Sequence, residues 1–228
     1  MNLLEKLKEI GEETKSLMNG RTGWVDAFLC SILFTLTLTI WNLQTAIIVV
    51  FGVFAWLLLI YHYSRGVRGI GLLGGLLGAA ISIAFVYLFQ SEEAYFAPAL
   101  ITDILVVVLG IGSVIVKRPF VAWNSALFRR WPWDWYWHDR VRPAYTETTW
   151  LWIIYFSVRL VAQLYFFRDG NVTGLAWVSF TLGWAGTTTL LITTYIYGIW
   201  RLRQLGGPSV EEFRNNTPPP WESQRRGF

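Results

Sequence analysis

The chain has 228 residues, of which 54% are hydrophobic and 15% charged, with a formal net charge of +4 and a single cysteine. A mean hydropathy of +0.41 is too high for a soluble domain and matches polytopic membrane proteins. One cysteine, Cys30, excludes an intrachain disulfide framework, and the basic excess reads as membrane topology rather than nucleic-acid binding.

Residues 1–20 set Leu3, Leu4, Leu7, Ile10, Thr14, Leu17 and Met18 at helical spacing, with Glu5, Lys6, Lys8, Glu9, Glu12, Glu13 and Lys15 on the other faces. This predicts an amphipathic helix that lies on the cytoplasmic leaflet or docks on a partner, with Asn19 and Gly20 as its stop. About 24 mostly polar residues precede the first apolar run, which does not fit a cleavable signal peptide.

Six apolar stretches follow, near Val25 to Trp41, Leu43 to Tyr61, Gly69 to Phe89, Phe96 to Val116, Thr149 to Phe167 and Leu175 to Trp200. Each approaches the roughly 20 residues that a helix needs to cross the hydrocarbon layer. The runs are continuous in Leu, Ile, Val and Phe instead of alternating with a period of two, so the predicted fold is an all-α transmembrane bundle over residues 21–201 and not a barrel. A tight turn at Asn42 makes the first two spans a hairpin. The third opens with glycines that set Gly71 over Gly75 and Gly74 over Gly78, the four-residue spacing that lets helix backbones touch. Gly69, Gly71 and Gly74 also satisfy a dinucleotide-type pattern, but no strand precedes them and an apolar span follows. In the sixth span, Ser179, Gly183, Gly186, Thr187 and Thr194 form a second small and hydroxylated stripe.

The longest connection, residues 117–148, carries Trp123, Trp131, Trp133, Trp135, Tyr136 and Trp137 among Arg129, Arg130, Asp134, Arg140 and Arg142. Indole rings favour the headgroup zone, so the segment is expected at the cytoplasmic interface, touching lipid or a partner. Pro218, Pro219 and Pro220 mark the tail, residues 202–228, as extended.

Lys6, Lys8, Lys15 and Arg21 precede the first span. Arg65 and Arg68 fall in the second connection, Lys117, Arg118, Arg129, Arg130, Arg140 and Arg142 in the fourth, and Arg201, Arg203, Arg214, Arg225 and Arg226 in the tail. The odd connections hold only Arg168, and Arg159 lies inside a span. The positive-inside rule therefore puts both termini in the cytoplasm.

Asp103 and Arg159 are ionisable groups well inside predicted spans, each about 11 Å below the exterior surface at about 1.5 Å per residue. A lone charge there costs roughly 2.5 to 3.5 kcal/mol on insertion scales, a reason to pair them, and Gln163 one turn on from Arg159 is placed to serve both. Such a pair either orients two helices or acts as a counter-ion or gate in a proton or solute path. His62 and His138 are expected near the cytoplasmic surface, where an imidazole could ligate a haem or chlorophyll-type pigment or serve as an ordinary interface residue. No catalytic set emerges. Gly110, Gly112 and Ser113 lack an in-span histidine to act as base, and Asp134, His138 and Asp139 do not have metal-ligand spacing.

Tyr95, Phe96 and Pro98, then Ser113, Val114, Ile115, Val116, Arg118 and Pro119, then Arg142, Ala144, Tyr145, Thr148 and Trp150, then Arg159, Gln163 and Tyr165 recur in a fixed order. Over about residues 45 to 205 this run resembles a bacterial family of six-span membrane proteins labelled Domain of Unknown Function 3159. The resemblance implies a six-helix membrane architecture in bacteria and no established activity. Against that pattern the Trp131 to Trp137 cluster is enlarged, and Asp103 stands where a neutral residue is expected. The resulting expectation is a non-enzymatic inner-membrane protein, an accessory or scaffold subunit that meets lipid and packs with other membrane proteins or its own copies, without nucleic acid, resident cofactor or metal. A small solute or ion transporter with its site at Asp103, Arg159 and Gln163 is the alternative, and pigment or haem binding at His62 or His138 a third.

Overall fold

The computed structural model describes residues 23–64 and 70–221, with side chains over 30–57, 59 and 77–221. The predicted amphipathic helix at 1–20 lies outside these residues, as do the side chain of His62 and the surroundings of Gly71, Gly74 and Gly75. Among the described residues every regular element is helical and no strand occurs. In chain order they are α1 (Gly23–Ile40), α2 (Leu43–Ser64), α3 (Ile70–Phe89), α4 (Glu93–Ile115, its first turn 3-10), α5 (Phe120–Arg129), α6 (Trp133–Trp137), α7 (Arg142–Arg168), α8 (Val172–Leu205) and α9 (Val210–Arg214).

Three of these, α4, α7 and α8, are long and apolar enough to cross a membrane, and the described parts of α1, α2 and α3 are shorter apolar helices. Helices α7 and α8 extend beyond the predicted apolar runs. Their 27 and 34 residues correspond to about 40 and 51 Å at ~1.5 Å per residue, against a hydrocarbon core of about 30 Å. Most of the excess lies in the polar or aromatic turns at the Arg-rich end, residues 142–148 of α7 and 201–205 of α8. Threonine hydroxyls inside the helices bond back to the carbonyl one turn earlier, as Thr35 does to Ser31 (2.9 Å), Thr39 to Thr35 (2.7 Å) and Thr149 to Tyr145 (2.7 Å). This is how an apolar solvent tolerates them.

The chain divides into two compact units. The first, within residues 1–97 and 170–180, contains α1, α2, α3, the opening turn of α4 and the first turns of α8. Asn42 makes the α1–α2 turn by accepting from the Thr45 backbone N–H and from its hydroxyl, both at 2.9 Å. Cys30, Val50 and Phe54 are buried between the hairpin arms. Phe34 of α1 stacks on Tyr95 at 5.0 Å, and Thr39 accepts from the Trp177 indole N–H at 3.2 Å. The N-terminus of α8 is capped by the Asn171 side chain, which accepts from the Gly174 N–H at 2.7 Å.

The second unit, within residues 98–169 and 181–228, holds the rest. Helix α4 ends at a left-handed Lys117, after which Pro119 precedes α5. Ser113 Oγ joins the two, donating to the Gly110 carbonyl (2.6 Å) and accepting from the Phe120 N–H (2.9 Å). Thr149 Oγ1 takes the next orphan donor, the Val121 N–H, at 3.3 Å. Helix α5 stops at Arg130, again left-handed, followed by Pro132. The core of this end is Ala122, Ala126, Trp135, Tyr136, Val141, Ala144 and Leu202.

The tail departs from the extended chain expected of its prolines. Gly206 closes α8 in the left-handed conformation, and residues 207–214 fold back as a turn and the short helix α9. Ser209 and Glu212 form a reciprocal capping box, Ser209 Oγ accepting from the Glu212 N–H (3.1 Å) and Glu212 Oε2 from the Ser209 N–H (2.9 Å). Two satisfied donors hold a five-residue helix that would not form alone.

Candidate functional site

Tyr155, Arg159 and Gln163 recur every four residues and so line one face of α7. Opposite them on α4 is Asp103. Arg159 Nε lies 3.2 Å from Asp103 Oδ2, with side-chain exposures of 14% and 1%. Gln163 is fully buried. With its amide nitrogen toward Asp103 it donates to Oδ2 at 3.1 Å, while its oxygen accepts from Arg159 Nε at 3.2 Å. The Phe156 ring sits 5.6 Å from the guanidinium carbon. Asp103 Oδ1 is buried without a hydrogen-bond partner. The three polar groups expected to meet in the apolar region are therefore in contact. Each satisfies part of the others' demand in surroundings where water cannot.

One turn before Arg159, the Tyr155 hydroxyl donates to the Leu182 carbonyl at 2.5 Å, within the π-helical turn Ser179–Ala185 of α8. A side chain bonded into a helix ladder is a recognised cause of such a widened turn. Gly186 explains why the hydroxyl fits: a Cβ there would collide with it and come within 3.0 Å of the Thr181 carbonyl. Gly186→Ala is expected to cost about 1 to 3 kcal/mol by overpacking, and less in a Tyr155→Phe background that lacks the hydroxyl. Unfolding of the four proteins in mixed micelles checks this; equal penalties in both backgrounds would contradict it.

The glycine stripes divide. Gly186 is a close-approach position, whereas among the described residues a Cβ at Gly78 or Gly183 would meet nothing within 4 Å. The position that the spacing missed is Gly110, where a Cβ would lie 2.8 Å from Ile153 Cγ1. Only its burial against α7 distinguishes it, and nothing local in the sequence reports that.

The Trp-rich segment also divides. Trp135 and Tyr136 are fully buried rather than spread over an interface, and the Trp135 indole donates to the Pro208 carbonyl at 2.8 Å. Trp131 meets Trp135 edge-on at 5.3 Å and carries the Arg129 guanidinium at 4.7 Å. Trp123 and Trp133 are in contact at 5.0 Å yet remain about two-fifths exposed, as interfacial rings would be. Trp137 has Arg118 over its ring at 5.4 Å, and Arg130 is exposed. Glu147 makes a two-pronged pair with Arg201 (2.7 and 2.8 Å) and accepts from the Tyr197 hydroxyl at 2.7 Å, a link between α7 and α8 absent from the sequence reading. Its signal was present, since both charges fall at the Arg-rich ends of adjacent spans.

His138 joins this platform to the tail. Its ring meets Trp221 edge-on at 5.3 Å and Phe213 at 6.3 Å, and its Nδ1 accepts from the Arg140 N–H at 3.2 Å. Burial lowers the imidazole pKa from its ordinary value, against an opposing pull from Asp139 and with a smaller push from Arg140. The unfolded chain then takes the proton first, so this contribution is present above the ordinary value of about 6.5 and is lost as pH falls through the lower folded value. Stability is expected to be lower at about pH 5.5 than at about pH 7.5, with a shallower slope in His138→Phe. An unchanged slope in that variant would contradict the assignment.

Among the described residues no group of three His, Cys, Asp or Glu side chains is gathered in metal-binding proximity. A family model described as "Protein of unknown function (DUF3159)" matches residues 18–203. No curated protein and no solved structure matches the chain. The matched span takes in the Asp103, Arg159 and Gln163 cluster and the aromatic platform, and it covers most of the sequence: the chain belongs to the DUF3159 family.

Proposed function

We propose that this chain is a non-enzymatic six-span protein of the bacterial inner membrane, with both termini cytoplasmic, that acts as an accessory or scaffold subunit packing with other membrane components. The apolar composition of α1, α2 and α3 supports adding them to the three longer helices as crossings, and the alternation of Lys and Arg between connections supports the orientation.

The observation that carries the accessory role is the mutual neutralisation of Asp103 and Arg159, closed by Gln163. Charges engaged in this way lock helices together. The faces left outward are apolar, such as Ile104 and Val108 on α4 and Val158 and Val161 on α7, and in a membrane these meet lipid or neighbouring helices. Gentle extraction followed by mass spectrometry of the intact assembly tests the proposal. A stable stoichiometric companion is expected, and a homo-oligomer without one would overturn it.

One observation favours the transporter alternative. Asp103 Oδ1 is buried and unpartnered, which is where a proton or a solute donor would bind. Solute or proton flux in proteoliposomes that disappears in Asp103→Asn would establish that reading instead.

A further inference from the structure

A groove of about 230 Å³ opens in the second unit between α5, the first turns of α7 and the last turns of α8. It is separate from the Asp103 cluster and does not rest on the accessory role. Its walls include Phe120, Phe128, Leu191 and Ile199, and along α8 it runs from Leu191 to Leu202, about 16 Å at ~1.5 Å per residue. Enclosed small-molecule pockets measure roughly 300 to 1,000 Å³, so this slot is narrow for a compact ligand and suits a single hydrocarbon chain whose polar end stays outside.

The mouth is cationic. Arg129 closes it, with its guanidinium 4.7 Å from the Trp131 ring centre and 5.7 Å from that of Tyr195. Among the described residues no carboxylate forms a salt bridge with it. Aromatic faces hold a guanidinium in place without using its N–H donors, which leaves the planar fork open to two oxygens of a phosphate. Asn124 and Ser125 line the groove one turn back, within reach of the rest of a headgroup. Leu127 and Phe128 on the same helix are 69% and 77% exposed, which for an interfacial helix sets the mouth at headgroup depth.

We infer that this groove binds one anionic phospholipid, its phosphate on Arg129 and one acyl chain in the slot between α7 and α8. Charge complementarity selects the class, since a fixed and unpaired cation beside an apolar channel matches a molecule that is anionic at one end and hydrocarbon at the other, and a bilayer supplies it at high local concentration. The site would tie α5 to α8 through lipid in addition to the direct contacts described above.

The test uses the full chain in mixed micelles with palmitoyl-oleoyl phosphatidylglycerol, phosphatidylcholine of the same chains, and glycerol phosphate without chains, and reads lipid retention by mass spectrometry of the intact protein. Phosphatidylglycerol is expected to be retained about fivefold over phosphatidylcholine, the preference one basic residue near a surface provides. That preference is expected to vanish in Arg129→Gln and to persist in Arg130→Gln. At Gly198 the nearest atom to an added Cβ is Thr148 Cγ2 at 4.0 Å, so Gly198→Leu grows into the slot and is expected to lose both lipids. If Gly198→Leu does not fold, dihexanoyl phosphatidylglycerol replaces it, with weak retention expected. Equal retention of the two lipid classes by the unmodified protein, an equal effect of Arg130→Gln, retention of glycerol phosphate or of short-chain lipid at the long-chain level, or a peptide or neutral molecule held in the groove would each overturn the proposal.

Discussion

Arg159→Gln is expected to destabilise the protein by about 3 to 5 kcal/mol, and the double variant with Asp103→Asn to recover most of that loss. The asymmetry comes from desolvation. Removing the guanidinium leaves the Asp103 carboxylate 1% exposed, with Oδ1 already unpartnered and Oδ2 reduced to one donor from Gln163. Neither water nor lipid can replace the missing partner. Removing both charges leaves three amides able to bond among themselves. Unfolding equilibria of the two single variants and the double variant in bicelles supply the cycle, with a coupling of about 2 kcal/mol or more expected. Additive penalties would mean that the groups do not interact.

The second large effect belongs to Trp135. Truncation to alanine at a fully buried site costs about 3 to 5 kcal/mol through lost contacts and the resulting cavity, and it also removes the indole donor to the Pro208 carbonyl. Tail residues 207–214 are packed on this platform through Phe213 and Val210, so hydrogen exchange in α9 is expected to lose its protection in Trp135→Ala before the membrane helices change. Trp135→Phe keeps much of the ring and removes the indole donor, and a loss of about 1 to 2 kcal/mol is expected of it. Undisturbed protection of α9 in the alanine variant would show that the tail is held by something else.

These two sites differ in how far the sequence revealed them. The helical class follows directly from long apolar runs, and the contact between Asp103 and Arg159 follows from equal depth, because an unpaired charge in hydrocarbon is too costly to ignore. The Trp135 core does not follow. Indole rings serve equally well at a lipid surface and inside a protein, and a Trp-Arg alternation does not say which rings turn inward. For the tail, three prolines outweighed a capping signal that was present, Ser209 followed three residues later by Glu212. For the glycines, four-residue spacing identifies a stripe of small residues but not the helix that meets it, so Gly183 and Gly186 read alike although only Gly186 lies under a neighbouring hydroxyl.

The six-span arrangement requires these helices to cross a bilayer with the Arg-rich ends inside. Cysteine labelling in a Cys30→Ser background tests that most directly. Single cysteines at Asn42, Ser91 and Asn171 are expected to react with a membrane-impermeant maleimide added to intact cells, and those at Lys117 and Asn216 only after the membrane is opened. Labelling of both sets from the same side would contradict the account.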